Sequence, residues 1–107
     1  MQVDVELLVV PDCANEAATL RMVRAVLDEL GLDDVRVRTT VIDNELEARR
    51  REFVGSPTVL VNGADPFAVP GLLPGLACRV YITGSRLSGV PDRDLLREAI
   101  TAAMDST

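Results

Sequence analysis

Apolar residues at Val3, Val5 and Leu7 alternate with polar ones and then run together as Leu8-Val9-Val10, which predicts a strand that becomes central in its sheet. Pro11-Asp12 ends that run. From Asn15 to Leu30 the apolar residues Leu20, Val23, Val26, Leu27 and Leu30 recur at helical spacing. Asp12 or Asn15 can cap this helix, and Gly31 supplies a left-handed turn at its end. Val35, Val37 and Val41-Ile42 predict a second strand with Arg36 and Arg38 on its other face.

Asn44-Glu45-Leu46-Glu47 resembles a capping box, and the i,i+4 pairs Glu45/Arg49 and Glu47/Arg51 support a short helix to about Phe53, ended by Gly55. A third strand begins at Ser56-Pro57-Thr58-Val59-Leu60-Val61, since a proline can stand only at a strand's first residue or edge. Asn62-Gly63 is a strong turn signal. Residues 64–77 carry Pro66, Pro70, Gly71, Pro74 and Gly75 without periodicity and read as a loop. Arg79-Val80-Tyr81-Ile82-Thr83 alternates as a fourth strand. Pro91 to Met104 forms a last helix with Leu95, Leu96, Ala99, Ile100 and Ala103 toward the core. The order β-α-β-α-β-β-α makes this an α/β protein, with a mixed four-stranded sheet flanked by helices. Its first two strands are expected to be parallel and its last two antiparallel.

At 107 residues there is room for one domain, spanning 1–107. All eleven basic residues are arginine, and histidine is absent, which excludes an imidazole base, a Ser-His-Asp or Cys-His triad and the commonest zinc ligand. Missing lysine fits a GC-rich coding bias of the kind some bacterial genomes show. A net charge of -6 disfavours nucleic acid and anionic membranes as partners. The run Arg49-Arg50-Arg51 sits among glutamates and reads as a solvated helix face. The N-terminus, Met1-Gln2-Val3-Asp4, carries no export signal, and no apolar run reaches the roughly 20 residues that cross a bilayer. With only Cys13 and Cys78, far apart in the chain, the natural home is a reducing cytoplasm, and neither a cofactor nor a metal site is expected.

A cysteine just after the first strand and Ser-Pro-Thr at the third resemble the thioredoxin superfamily over nearly the whole chain. The resemblance places Cys13 at the start of the first helix and Pro57, as a cis-proline, beside it. Position 16 departs from the family's Cys-x-x-Cys, because the sequence reads Cys13-Ala14-Asn15-Glu16. The segments Pro-Asp-Cys, Gly-Ser-Pro-Thr-Val-Leu-Val-Asn-Gly-Ala-Asp-Pro-Phe and Gly-Leu-Ala-Cys-Arg-Val-Tyr are similar to small bacterial thioredoxin-like proteins labelled alkylmercury lyases. In organomercurial lyases two cysteines and an aspartate cleave a carbon-mercury bond.

A thiol at a helix N-terminus meets the positive end of the dipole, which favours thiolate, whereas the carboxylates of Asp12 and Glu16 oppose it. The bland alternative for Cys13 is a small core residue. Cys78 is far from Cys13 if the fourth strand simply pairs with the third. The 64–77 loop, able to span roughly 45 Å at about 3.3 Å per residue, can instead return Cys78 to Cys13 as a resolving thiol or second sulfur ligand. Ser56, held outward by Pro57, is expected to pair with an extended peptide or a ligand. Asp12 is either a helix cap or an acid beside a bound mercurial or mixed disulfide. Tyr81 and Asp65 read as strand and turn residues. Two functions follow: thiol/disulfide or soft-metal chemistry centred on Cys13, with a thiol compound or protein disulfide as partner, or a binding module without chemistry at sulfur that uses the Ser56-Pro57 turn or the acidic surface.

Overall fold

All five residues of β1, Val5–Val9, are buried, because this strand has a neighbour on each edge and covered surfaces on both faces. The computed structural model describes residues 3–105; Met1 and Gln2, part of the segment read for an export signal, lie outside them. After β1 come α1 (Glu16–Glu29), β2 (Val37–Val41), α2 (Glu45–Arg50), β3 (Thr58–Val61), β4 (Tyr81–Thr83), β5 (Arg86–Ser88) and α3 (Arg93–Asp105). β1 pairs with β2 in parallel and with β3 antiparallel, giving the order β2-β1-β3.

Alternation along β1 divides the core. Val5, Leu7 and Val9, with Val59 and Val61 of β3, meet Val23, Val26 and Leu27 of α1 and Leu96 and Ile100 of α3. On the other face Leu8 packs with Ile42, Ala48 and Phe53, which closes α2 onto the sheet. Phe53 is fully buried, so truncating it to alanine removes roughly 3 to 5 kcal/mol. Leu95, expected in the core, is 49% exposed, because α3 turns its Leu96/Ile100 face inward and has no second layer to cover Leu95.

The expected four-stranded sheet is a three-stranded sheet and a separate two-stranded one. β4 pairs with β5 rather than with β3, so among the described residues there are five strands, in the order β-α-β-α-β-β-β-α. Beyond the turn at Asn62 and Gly63, both at positive φ, only the single bridge Val61–Ala64 forms. Pro66, Pro70 and Pro74 follow and cannot donate to a ladder, which stops an antiparallel partner from growing along β3. β4 and β5 instead form a hairpin through Gly84 and Ser85, with Ile82 opposite Leu87.

Helix ends also depart in detail. Asn15 is the residue before α1, yet its side chain makes no capping hydrogen bond, and its amide lies against Gly89 instead: a Cβ there would come within 2.4 Å of Asn15 Nδ2. Asn44 does cap α2, accepting from the Glu47 amide at 2.8 Å. Asp92 caps α3, accepting from the amides of Asp94 and Leu95, so Pro91 stands before the helix rather than in its first turn. Glu47 pairs with Arg50, not Arg51. Arg51 reaches 2.6 Å from Glu6, a carboxylate on β1 that also accepts from Thr40, which removes Arg51 from the solvated face expected of the arginine run.

Candidate functional site

The register that sets Leu8 of β1 opposite Thr58 of β3 carries on to bring Val10 beside Ser56, and the Val10 amide donates to Ser56 Oγ at 3.0 Å. The Ser56–Pro57 bond is cis. Ser56 is not held outward, as the sequence leads one to expect. It is 1% exposed, its N–H donates to the Ala77 carbonyl at 2.8 Å, and its carbonyl accepts from the Arg79 amide at 2.9 Å. The chain's own segment 77–79 thus fills the place assigned to an extended peptide. The returning loop takes this position because the side chain of Arg79, described below, pulls it in.

This same bridge pairs Ser56 with Cys78 in parallel. The long loop therefore does bring the second cysteine back to the carboxyl end of β1. Val10, Ser56 and Cys78 lie side by side across that end, so Cys78 stands two strand spacings, about 10 Å, from Val10. Cys13 follows Val10 through a turn in which Asp12 has φ 57 and the Cys13 carbonyl accepts from the Glu16 amide at 3.3 Å. Ala14 and Asn15 separate Cys13 from the first helical residue. Cys13 is half-buried and packs against the main core, whereas Cys78 is exposed, and both thiols are free. Asp12 is exposed, and among the described residues its side chain caps nothing.

What fixes this arrangement is Arg79, 6% exposed and absent from the sequence-level candidates. Its guanidinium donates to Asp65 Oδ2 at 2.7 Å, to Thr58 Oγ1 at 3.1 Å and to the Phe67 carbonyl at 2.7 Å. It also lies over the Tyr81 ring, 4.6 Å from the centroid, and Phe67 meets that ring edge-on. The Tyr81 hydroxyl donates to the Pro57 carbonyl. Burial pushes the Tyr81 phenol far above its ordinary range, partly offset by the Arg79 charge. Asp65 and Tyr81 are thus the outer members of a buried polar cluster that ties the 64–83 segment to the proline turn. The available signal was parity: Arg79 and Tyr81 alternate with Cys78, Val80 and Ile82, so an arginine shares the inward face of its strand with an aromatic.

A cavity of about 720 Å³ adjoins this cluster, its wall including Glu6, Arg38, Arg51 and Leu60 together with Thr58 and Asp65; neither cysteine lines it. Burial pushes the Glu6 carboxyl up, but hydrogen bonds from Thr40 and Arg51 and the charges of Arg51 and Arg38 outweigh it and leave the group below its usual range. Among the described residues no cluster of three or more His, Cys, Asp or Glu side chains could hold a metal ion, and no helix is long and apolar enough to cross a membrane.

Comparison with known proteins adds no assignment: no family model, no curated protein and no solved structure matches the chain. The fold class itself is mixed α/β, with a three-stranded mixed sheet, a two-stranded sheet and three helices among the described residues.

Proposed function

We propose that this is a thioredoxin-like thiol protein in which Cys13 and Cys78 act together in thiol–disulfide exchange, with a thiol compound or a protein disulfide as partner. The observation that carries the reading is the position of Ser56, which is hydrogen-bonded to the strand end leading to Cys13 and bridged to Cys78. A parallel β2, an antiparallel β3 and a proline turn at the head of β3 support the thioredoxin-like assignment. Two free thiols suit a reducing compartment such as the cytoplasm.

Exposure sets the order of events. Cys78 is the thiol an incoming disulfide meets, so the position of Cys13 before α1 gives way to accessibility in deciding which sulfur attacks first. The Cys78 thiolate attacks one sulfur of the partner, a Cys78–partner disulfide forms, and the second partner sulfur leaves with the electron pair of the broken bond. The Cys13 thiolate then attacks Sγ of Cys78 and releases the first partner sulfur, leaving a Cys13–Cys78 disulfide. Two electrons and two protons pass to the partner, and two equivalents of a thiol compound, themselves oxidised to their disulfide, restore the pair. The same two thiolates are the donors that a soft cation such as a mercurial prefers.

Titration with a chromogenic aromatic disulfide, read by absorbance and intact mass, tests the proposal. The wild type should release two aromatic thiols per chain and retain none. Cys13→Ser should release one and stay trapped as a mixed disulfide, and Cys78→Ser should react slowly. A wild type that keeps an aromatic thiol on each cysteine overturns the reading. It would favour the binding module instead, working through the acidic surface, because the proline turn is already occupied.

A further inference from the structure

Helix α1 and strand β2 part at the edge of the sheet and leave a groove of about 800 Å³ between them. The buried stripe of α1, Val23, Val26 and Leu27, packs on the main core with β1. Leu20, Arg24 and Asp28, one helical turn apart, therefore form a flank that faces the start of β2, with Arg21 and Ala25 in the adjoining row. Val37 lies across from them, and no strand continues the sheet beyond β2. Leu20 and Val37 are half-buried and packed on the main core, which makes the floor of the groove apolar and fixed. Arg24 holds the wall: its guanidinium donates to the Leu32 carbonyl at 3.0 Å and the Val35 carbonyl at 2.5 Å, and it pairs with Asp28 at 3.2 Å.

The charge of this groove runs against that of the chain. Arg21, Arg24 and Arg36 line it against one carboxylate, that of Asp28, which Arg24 already holds. A groove of equal size beside α3 has the reverse sign, with Asp94, Glu98 and Asp105 against Arg97. Among the described residues only Arg21, Arg36, Arg49 and Arg86 have no ion pair, and two of these four meet here, both exposed. The chain's own carboxylates thus leave these two guanidinium groups to an outside anion. We infer that the α1–β2 groove binds a small amphiphilic carboxylate, its apolar body on Leu20, Ala25 and Val37 and its head taken by Arg21 and Arg36. Pockets for ligands of small-molecule size run from roughly 300 to 1,000 Å³, a range that includes this one. A floor of aliphatic side chains favours a hydrocarbon body over a sugar or nucleotide, whose polar groups would go unpaired on it. A single negative charge fits better than a phosphate ester's two or a polyanion's many, because the net charge of -6 opposes each further one. Neither cysteine lines the groove, so the inference does not rest on exchange at sulfur.

Isothermal titration calorimetry of the full chain with naphthoate tests the inference, with naphthylmethanol as the uncharged body and acetate as the bare head. Naphthoate should bind once per chain with a Kd at or below about 1 mM, which is within reach of a ligand of its size. The alcohol should bind at least about tenfold more weakly, and acetate should give no saturable heat. Added salt should weaken naphthoate and spare the alcohol. Arg21→Gln with Arg36→Gln should erase the preference for naphthoate over the alcohol and leave circular dichroism unchanged, since both side chains are exposed. Arg49→Gln, at the other unpaired arginine on a helix, should bind as the wild type does. A wild type that fails to bind naphthoate in that range, or binds it no tighter than the alcohol, overturns the inference. So does binding that acetate matches or that survives the double variant. A groove that ignores naphthoate, but whose double variant changes the sedimentation coefficient, houses a second copy instead, and that too overturns it.

Discussion

Arg79 and Asp65 form an ion pair at 2.7 Å with side chains only 5% and 17% exposed, and this contact fastens the returning loop to the head of β3. Removing one partner leaves the other charge buried without compensation. Asp65→Ala should therefore lower stability by about 3 kcal/mol or more, measured as a shift in urea midpoint. Replacing Arg79 by methionine in the same variant should recover part of that loss, because no cation is then stranded. A cost for Asp65→Ala below about 1 kcal/mol would mean that the pair is solvated like a surface one.

Tyr81 is the only tyrosine in the chain, so tyrosinate absorbance reports on it alone. Its phenol is held protonated in the folded protein, chiefly by burial, while the unfolded chain releases the proton near pH 10. Stability is thus intact below that value and falls as pH rises above it. The tyrosinate signal should appear together with loss of circular dichroism, not before it. Tyr81→Phe should abolish the signal and cost about 1 kcal/mol for the lost bond to the Pro57 carbonyl.

Glu6 behaves in the opposite sense. Its carboxyl lies below the ordinary 4.5, since Thr40, Arg51 and Arg38 more than offset burial. The stabilisation it brings is present above that value and disappears as pH falls through the lower folded value. Glu6→Gln should be less stable than wild type at neutral pH, and the two urea midpoints should converge in acid. A gap that stays constant with pH would show that packing rather than charge is at issue.

Two glycines separate strain from crowding. At Gly31, with φ +74, an added Cβ meets nothing within 4 Å, so Gly31→Ala should cost only about 1 kcal/mol of backbone preference. At Gly55, with φ +144, the Cβ would sit 2.9 Å from that of Arg79 and 3.1 Å from its Cα. Gly55→Ala should cost on the order of 3 kcal/mol and speed alkylation of Cys78, because the 77–79 segment must move off Ser56. Equal melting temperatures for the two variants would contradict this packing.

Local patterns were readable wherever one residue decides the outcome. The helical stripe of Val23, Val26 and Leu27, the Asn44 cap and the Asn62-Gly63 turn are all present as the amino acids suggest. What escaped was pairing at a distance. No spacing rule shows that Glu6 draws Arg51 from the end of α2, or that Arg79 finds Asp65 fourteen positions away in the chain. The same holds at the candidate site. A proline at the head of β3 was legible, but the occupancy of the Ser56 backbone follows from where a proline-rich loop lands, and loop trajectories are set by a few buried polar contacts rather than by periodicity.

The bridges at Ser56 and Val61 also bear on how the sheet resists growth. An exposed strand rim invites a foreign strand to add to it, and here the β3 rim is capped at both ends by the chain's own backbone, at Cys78 and at Ala64. The vulnerable rim is then β2, where Arg38, with more than half its side chain in water, places a charge that discourages docking. Fibril-like addition to the three-stranded sheet starts along residues 37–41, and an uncharged residue at position 38 would lower the barrier to it.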